Sequence, residues 1–366
     1  MLLNIILALA IAAYLATAWI VSLALAKDRE VRSHGLGSDP PSVAVIVAAR
    51  DEEQHIERCV EALIGQRYAA EHMEIVVVDD HSEDATAEIL RRLSDGDSRV
   101  TLLESSELGG IPGKASALAL GVESTSADII LTTDADCEPP PGWVSSMVER
   151  LQAGRLACLG GVTLATAPGA FSRAQALDWL LGLGVAGGLS ELGYPLTAMG
   201  NNMAFRRLDY EAVGGYRHFA SSPTEDFALF RALALRAGGS QLVVDPKLTT
   251  HTRPVSTLSG VLSQRRRWAR GGLAAPLPVH ILYATIWLAH AAPLLIVPIS
   301  VWTALIFLLL KVAADALVLY ETNRRLGRST DWPAFPLLQS LLWLYVLVLP
   351  FTLAVSPGLS WKGRKL

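Results

Sequence analysis

Hydrophobic positions along this chain follow two rhythms. Toward both ends they run together: residues 2–26 (LLNIILALAIAAYLATAWIVSLALA) carry no charge, residues 279–320 are apolar with breaks at Pro293 and Pro298, and residues 334–356 are apolar again. About 20 apolar residues suffice for a helix to cross a bilayer, so these runs predict one, two and one crossings. In the middle the apolar runs are short. SVAVIVAA (42–49), EIVVVDD (74–80), VTLLE (100–104) and ADIILTTDAD (127–136) are rich in β-branched residues, with helical patterns at 52–64, 84–93 and 114–122 between them. Strands that are apolar on both faces and alternate with helices predict an α/β domain with a mostly parallel sheet covered on both sides.

Charged residues refine this picture at the joints. Lys27, Arg29 and Arg32 follow the first apolar run directly. A cleaved leader carries its positive charge ahead of the apolar stretch, so the reverse order predicts a retained helix followed by a cytosolic domain. Two further crossings return the chain to the cytosol at Arg324, Arg325 and Arg328, whereas a fourth places Lys362, Arg364 and Lys365 outside, against the positive-inside tendency. A re-entrant or interfacial segment resolves that conflict. Lys311 and Asp315 lie one helical turn apart inside an apolar run and are expected to pair, as a functional site or as a structural pair.

Composition narrows the class. At 51% hydrophobic residues the chain is too apolar for a purely soluble enzyme, and its net charge of −4 offers no basic field, so no nucleic-acid partner is expected. Cys59, Cys137 and Cys158 have no CxxC spacing and read as free thiols.

The chemistry gathers where the strands end, which is where parallel sheets bind ligands. Arg50, Asp51 and Glu52 follow the first strand, Asp79 and Asp80 the second, Asp134 and Asp136 the fourth. Acids after strands also cap helices, so Asp80 or Ser82 is equally a candidate cap for the next one. The pair Asp134 and Asp136 is harder to read as a cap. Two carboxylates delivered to one spot repel unless a divalent cation, Mg²⁺ or Mn²⁺, sits between them and a substrate phosphate. Lys114 in GGIPGKASAL is not a P-loop lysine, because Leu108 and Ala115 stand where that motif needs Gly and Ser or Thr. It remains either a helix-start lysine or one facing a nucleotide. Gly200, Asn201 and Asn202 read as a turn or as the lining of an acceptor site, Thr224 as a helix N-cap, and His251 as a structural histidine or one near the diphosphate. The basic stretch SQRRRWARGG (263–272) lies just before a membrane run, where arginines commonly anchor to the anionic leaflet.

Seven segments in order, RDEE, VVVDDHSEDAT, GKASALALG, TTDADCEPPPGW, MGNNMAFRR, TEDFALF and QRRRW, resemble glycosyltransferase family 2, covering roughly residues 40–275. The resemblance is greatest to membrane-bound ceramide glucosyltransferases and more distant to cellulose and hyaluronan synthases; the closing WKGRKL is similar to ceramide-type tails.

The resemblance implies a GT-A catalytic domain at 40–250, after an N-terminal transmembrane helix at 1–27. An interfacial segment with QRRRW follows at 251–276, two to three transmembrane helices at 277–358 and a basic tail at 359–366. It implies that Asp51 and Asp80 contact the base and ribose of a nucleotide sugar, with Lys114 nearby. Asp134 and Asp136 would form the D-x-D metal site, with Asp136 the direct ligand of Mn²⁺ or Mg²⁺. Asp226 would be the general base beside Glu225, and Gly200 and Asn201 would line the acceptor side. Gln264, Arg267 and Trp268 would lie over diphosphate and acceptor, leaving Arg265, Arg266 and Arg270 to anchor the membrane. The expected activity is inverting transfer of one sugar, from a UDP-sugar to a lipid hydroxyl, at the cytosolic face of a bacterial inner membrane. The alternative is a processive polysaccharide synthase, disfavoured by the few polar residues in the membrane segments.

Overall fold

The structure is a computed structural model that describes residues 2–27, 35, 37, 39–105, 113–220, 222–355, 360–361 and 364–365. Arg29, Arg32 and Lys362 lie outside the described residues, as do the side chains of Arg364 and Lys365 and so the basic tail as an anchor. The chain divides into two compact units. One comprises Met1–Asp28, Ala165–Leu196 and Pro254–Leu366; the other comprises Arg29–Leu164 and Thr197–Arg253. Residues 165–196, inside the stretch expected to form one catalytic domain, thus group with the apolar helices.

Helix α1 (Leu2–Ala26) opens the chain. The second unit then builds strand β1 (Val43–Ala49), helix α2 (Ile56–Ile64), β2 (Met73–Asp79), α3 (Thr86–Gly96), β3 (Val100–Glu104), α4 (Lys114–Glu123), β4 (Ile129–Asp134) and α5 (Trp143–Ala153). β1 is buried along nearly its whole length, as a strand covered on both faces must be. The helices pack by period: Ile56, Cys59, Val60 and Leu63 form the buried stripe of α2, and Trp143, Val144, Met147, Val148 and Leu151 that of α5. The short strands β5 (Cys158–Gly160) and β6 (Thr163–Ala165) follow.

The chain then enters the first unit with α6 (Ala170–Glu191) and returns with β7 (Met203–Arg206), α7 (Arg207–Ala212), α8 (Gly215–His218), α9 (Glu225–Leu233), β8 (Ser240–Leu242) and β9 (Thr250–Thr252). The main sheet has the order β3-β2-β1-β4-β7-β5-β8, and β6 pairs with β9 separately. β1 runs parallel to both β2 and β4, while β7 is antiparallel to β4 and β5. The strand order therefore reverses at β1 and β4, opening a crevice at their carboxyl ends.

In the first unit, α10 (Leu258–Gly272), α11 (Leu277–Ile296), α12 (Val301–Arg325) and α13 (Phe335–Val355) follow in order, and Ser360–Trp361 pairs with Arg364–Lys365 in a two-residue ladder. Among the described residues four segments are long and apolar enough to cross a membrane: Leu2–Ala26, Leu277–Ile296, Val301–Arg325 and Trp332–Leu353. Pro293 does not break the second of these; α11 runs through it, and the chain turns only at residues 297–300, where Ser300 accepts from the Thr303 N–H at 3.2 Å and caps α12. Gly188 lets α6 and α1 approach closely, since a Cβ there would stand 2.6 Å from Val21.

Arg324 and Arg325 do more than mark a topology. They donate to the carbonyls of Ala26 (3.2 Å), Leu25 (3.2 Å) and Lys27 (2.6 Å), satisfying acceptors that the end of α1 leaves open. The carboxyl ends of α1 and α12 are therefore at one level, as the charge pattern predicts. Between the apolar helices, Lys311 and Asp315 do pair, at 2.8 Å and 0% and 1% exposed. Gln339 accepts from Lys311 (2.7 Å) and donates to Asp315 (2.8 Å), and Tyr14 donates to the other Asp315 oxygen. One positive charge meets one negative, with neutral partners on both.

Candidate active site

The loops after β1 and β2 are laced to each other. Asp51, held at φ +48°, takes the Glu83 N–H on Oδ1 (2.8 Å) and donates its own N–H to Ser82 Oγ (3.0 Å). The N–H groups of Glu52 and Glu53 reach Thr86 Oγ1 (2.8 Å) and Asp84 Oδ2 (3.1 Å). Asp80 is 1% exposed and accepts from the Gly113 N–H at 3.0 Å, at the start of α4. Neither Asp80 nor Ser82 caps α3; its N-cap position is Ala85, without a side-chain cap, and Asp84 just before it accepts the Thr86 N–H at 3.0 Å. Ser82 instead donates to Asp79, whose pKa burial pushes up.

α4 aims Lys114 across this floor. Its Nζ lies 2.6 Å from Asp134 Oδ1 at the end of β4 and 3.9 Å from Glu225 Oε1 at the start of α9. Burial works against the lysine charge, but Asp134, Glu225 and Asp226 outweigh it and hold its pKa above the usual value. For Asp136 the relief from Lys114 is too small to win. Burial, then the neighbouring charges of Asp134 and Glu52, push it up to about 6, although its Oδ2 accepts from Thr252 Oγ1 at 3.1 Å. Lys114 is thus set against Asp134, Asp136, Glu225 and Asp226.

Asp226 is held by backbone. Gly200 donates its N–H to Oδ2 and Phe227 to Oδ1, each at 2.8 Å. Gly200 itself is dictated by closeness, because a Cβ there would stand 2.7 Å from the Asp226 Cβ. Its carbonyl accepts from Thr132 Oγ1 on β4 at 2.7 Å, which ties Asp226 to the strand that ends in Asp134. Thr224 precedes α9 but makes no side-chain cap, and its buried hydroxyl has no hydrogen-bond partner.

The other expected residues divide. Asn201 is buried and accepts from Thr163 Oγ1 (2.8 Å). Asn202, fully buried, accepts from Trp143 Nε1 and donates to the carbonyls of Val162 and Leu248, all at 2.9 Å, so it staples the fold. His251 pairs through its backbone with Glu138, and its neighbour Thr252 is the residue that reaches Asp136. Thr252 and Thr132 went unnoticed in the sequence, which marks neither. Gln264, Arg267 and Trp268 lie on α10, in the other unit. Arg265, expected on the membrane surface, is 6% exposed and ion-paired with Asp178; a guanidinium so enclosed cannot serve as a surface anchor.

The carboxylates fit a divalent cation. Among the described residues no three or more His, Cys, Asp or Glu side chains are grouped to hold an ion on their own. Asp134 and Asp136 instead offer the one or two carboxylates with which Mg²⁺-type ions are held alongside substrate phosphates.

Residues 44–214 match the glycosyl transferase family 2 model. The chain is 30% identical over 138 residues to glycosyltransferase AglE of Haloferax volcanii, covering 38% of this chain and 44% of that one. It is 29% identical over 241 residues to beta-monoglucosyldiacylglycerol synthase of Synechocystis, covering 63% and 48%. The chain thus spans about half the length of these relatives. In structure it is similar to a mannosyltransferase from Pyrobaculum calidifontis in complex with GDP-Man and Mn2+, with a TM-score of 0.63 and 21% identity over 96% of this chain and 99% of that one. That likeness establishes the fold, which is GT-A. The glycosyltransferase match ends at residue 214, so Asp226 and the α10 motif stand outside it.

Proposed function

We propose that the protein is a metal-dependent, inverting glycosyltransferase that moves one sugar from a nucleoside diphosphate sugar to the hydroxyl of a lipid at the cytosolic face of an inner membrane. The observation that carries this reading is Lys114, which joins the carboxyl end of β4 to the first turn of α9 and so gathers D-x-D and TED into one cluster. Helices long and apolar enough to cross a membrane, four among the described residues, and relatives named for glucosyldiacylglycerol synthesis support a lipid acceptor.

In this reading Asp226 accepts the proton of the acceptor hydroxyl as its oxygen attacks the anomeric carbon. The bond from that carbon to the diphosphate breaks in the same displacement, which inverts the centre. The fixed Gly200 N–H keeps the Asp226 carboxylate from rotating away from the acceptor. Lys114 faces the diphosphate oxygens, and Asp51 and Asp80 order the loops that receive the base and ribose. Asp136, with Asp134, would hold Mn²⁺ or Mg²⁺, which when bound would supply charge neutralisation at the leaving diphosphate. Glu225 orients Lys114, while Gly200 and Asn201 shape the acceptor side, and Gln264, Arg267 and Trp268 contribute to acceptor and diphosphate binding. UDP-sugars are the proposed donors.

The test uses full-length protein in detergent with Mn²⁺. Labelled UDP-glucose, UDP-galactose and GDP-mannose are offered singly with diacylglycerol, ceramide or total membrane lipid, and products are identified by mass spectrometry. The expected result is a lipid heavier by one hexose, absent with EDTA and absent in Asp226→Asn. A ladder of sugar increments, or label in insoluble polymer, overturns single transfer in favour of a synthase.

A further inference from the structure

Two motif side chains on α10, Gln264 and Trp268, share one buried neighbour. The Arg265 guanidinium donates to Asp178 Oδ2 on α6, from Nε at 3.0 Å and from Nη2. The other oxygen of Asp178 accepts from the Tyr345 hydroxyl of α13 at 2.6 Å, so both oxygens of this acid are engaged. The same guanidinium gives Nη1 to Gln264 Oε1 at 3.2 Å and lies 4.3 Å from the centre of the Trp268 ring. Trp268 then meets Trp179, the residue after Asp178, edge-on at 5.5 Å. A second bond from the same face of α6, Gln175 Nε2 to the Val255 carbonyl at 2.9 Å, holds the segment leading into α10.

Stability alone does not call for this arrangement, since a buried ion pair is often replaced by apolar residues without loss. What an apolar pair cannot do is aim its neighbours. A planar guanidinium gripped by a carboxylate presents one face to Trp268 and one edge to Gln264. With Oε1 of Gln264 committed to Arg265, the amide NH₂ is what Gln264 offers, a donor suited to phosphate or sugar oxygens.

We propose that Asp178 is a positioning residue for transfer: through Arg265 it fixes the ring of Trp268 and the amide of Gln264 in their working orientation. The inference rests on the reading above that Gln264 and Trp268 serve the acceptor and diphosphate. Asp178 stands outside every motif that carries that reading.

Full-length protein carrying 5-fluorotryptophan, in detergent, tests it. Trp268→Phe assigns the Trp268 line among the nine tryptophans by its disappearance. Asp178→Asn alone leaves Arg265 buried and uncompensated, which is strongly destabilising, so the decisive variant replaces both partners, Asp178→Leu with Arg265→Met. The expected result is a protein that still folds, with a melting temperature lowered only modestly by the Tyr345 hydroxyl that loses its acceptor, a Trp268 fluorine line that shifts and broadens, and an acceptor KM raised roughly 10- to 100-fold with a smaller change in kcat. A double variant whose Trp268 line matches wild type overturns the proposal, whatever its activity. Trp268→Ala with undiminished transfer defeats the functional reading of the motif instead, and leaves the fluorine result to decide whether Asp178 holds the ring.

Discussion

Two lysines, one in each unit, sit among carboxylates and are used in opposite ways. Lys311 is sealed away from solvent and meets a single acid, Asp315, with Gln339 and Tyr14 completing both partners. Lys114 is 22% exposed and answers to Asp134, Glu225 and Asp226 at once, while Asp136 nearby is left to rise to about 6. The first set is closed: its charges sum to zero and its hydrogen bonds are made. The second is open to solvent in part, and in it one lysine faces several carboxylates at once. A closed pair in an apolar setting holds helices together, whereas acids gathered at strand ends have the chemistry that the proposed cation and diphosphate require.

The sharpest test of the open cluster is Asp226→Asn. Turnover should fall by roughly 10²- to 10⁴-fold, as expected for loss of a general base, while titration calorimetry shows nucleotide binding intact. Equal loss of binding would place Asp226 on the donor instead.

For the closed network, Lys311→Leu strands a buried carboxylate and should destabilise the protein by about 3–5 kcal/mol, with Lys311→Leu plus Asp315→Leu recovering most of it. Thermal unfolding in detergent reads both, and transfer per folded molecule should stay at wild-type level. A folded but inactive double variant would break the comparison, because Lys311 would then be functional too.

Removing the counter-charge of the open cluster should have a smaller effect of unexpected sign. Lys114→Met frees Asp134, so Mn²⁺ binding without nucleotide should tighten by about tenfold or more, as followed by electron paramagnetic resonance; weaker binding would mean that Lys114 organises the metal site. The smallest change belongs to the staple: Asn202→Ala orphans Trp143 Nε1 and two carbonyls, costing about 1–3 kcal/mol in unfolding without shifting the donor KM.

The catalytic sheet was legible because its signal is local. β1 to β4 are apolar runs, with Asp51 and Asp80 just after β1 and β2 and Asp134 closing β4, and β1 pairs in parallel with both β2 and β4. α6 was not legible: Arg173, Gln175 and Asp178 interrupt an apolar stretch that would otherwise have read as a membrane element. Arg265 looked like an anchor because its partner is 87 positions away, and Asn202 like a turn because Trp143 is 59 away. Distance in sequence hid these pairings, whereas the acids of the cluster announced themselves at the ends of their own strands.

The excursion of the chain into α6 also sets an order of assembly. A ribosome delivers α6 before β7, α9 and Asp226, and long before α12 and α13, two of the helices that cover it. During synthesis its buried face, Leu177, Trp179, Leu180, Leu181 and Leu183 among others, must wait against α1 or lipid until the last helices arrive. A shortened gene spanning residues 39–253 would encode the whole GT-A sheet and still yield a chain that seeks detergent.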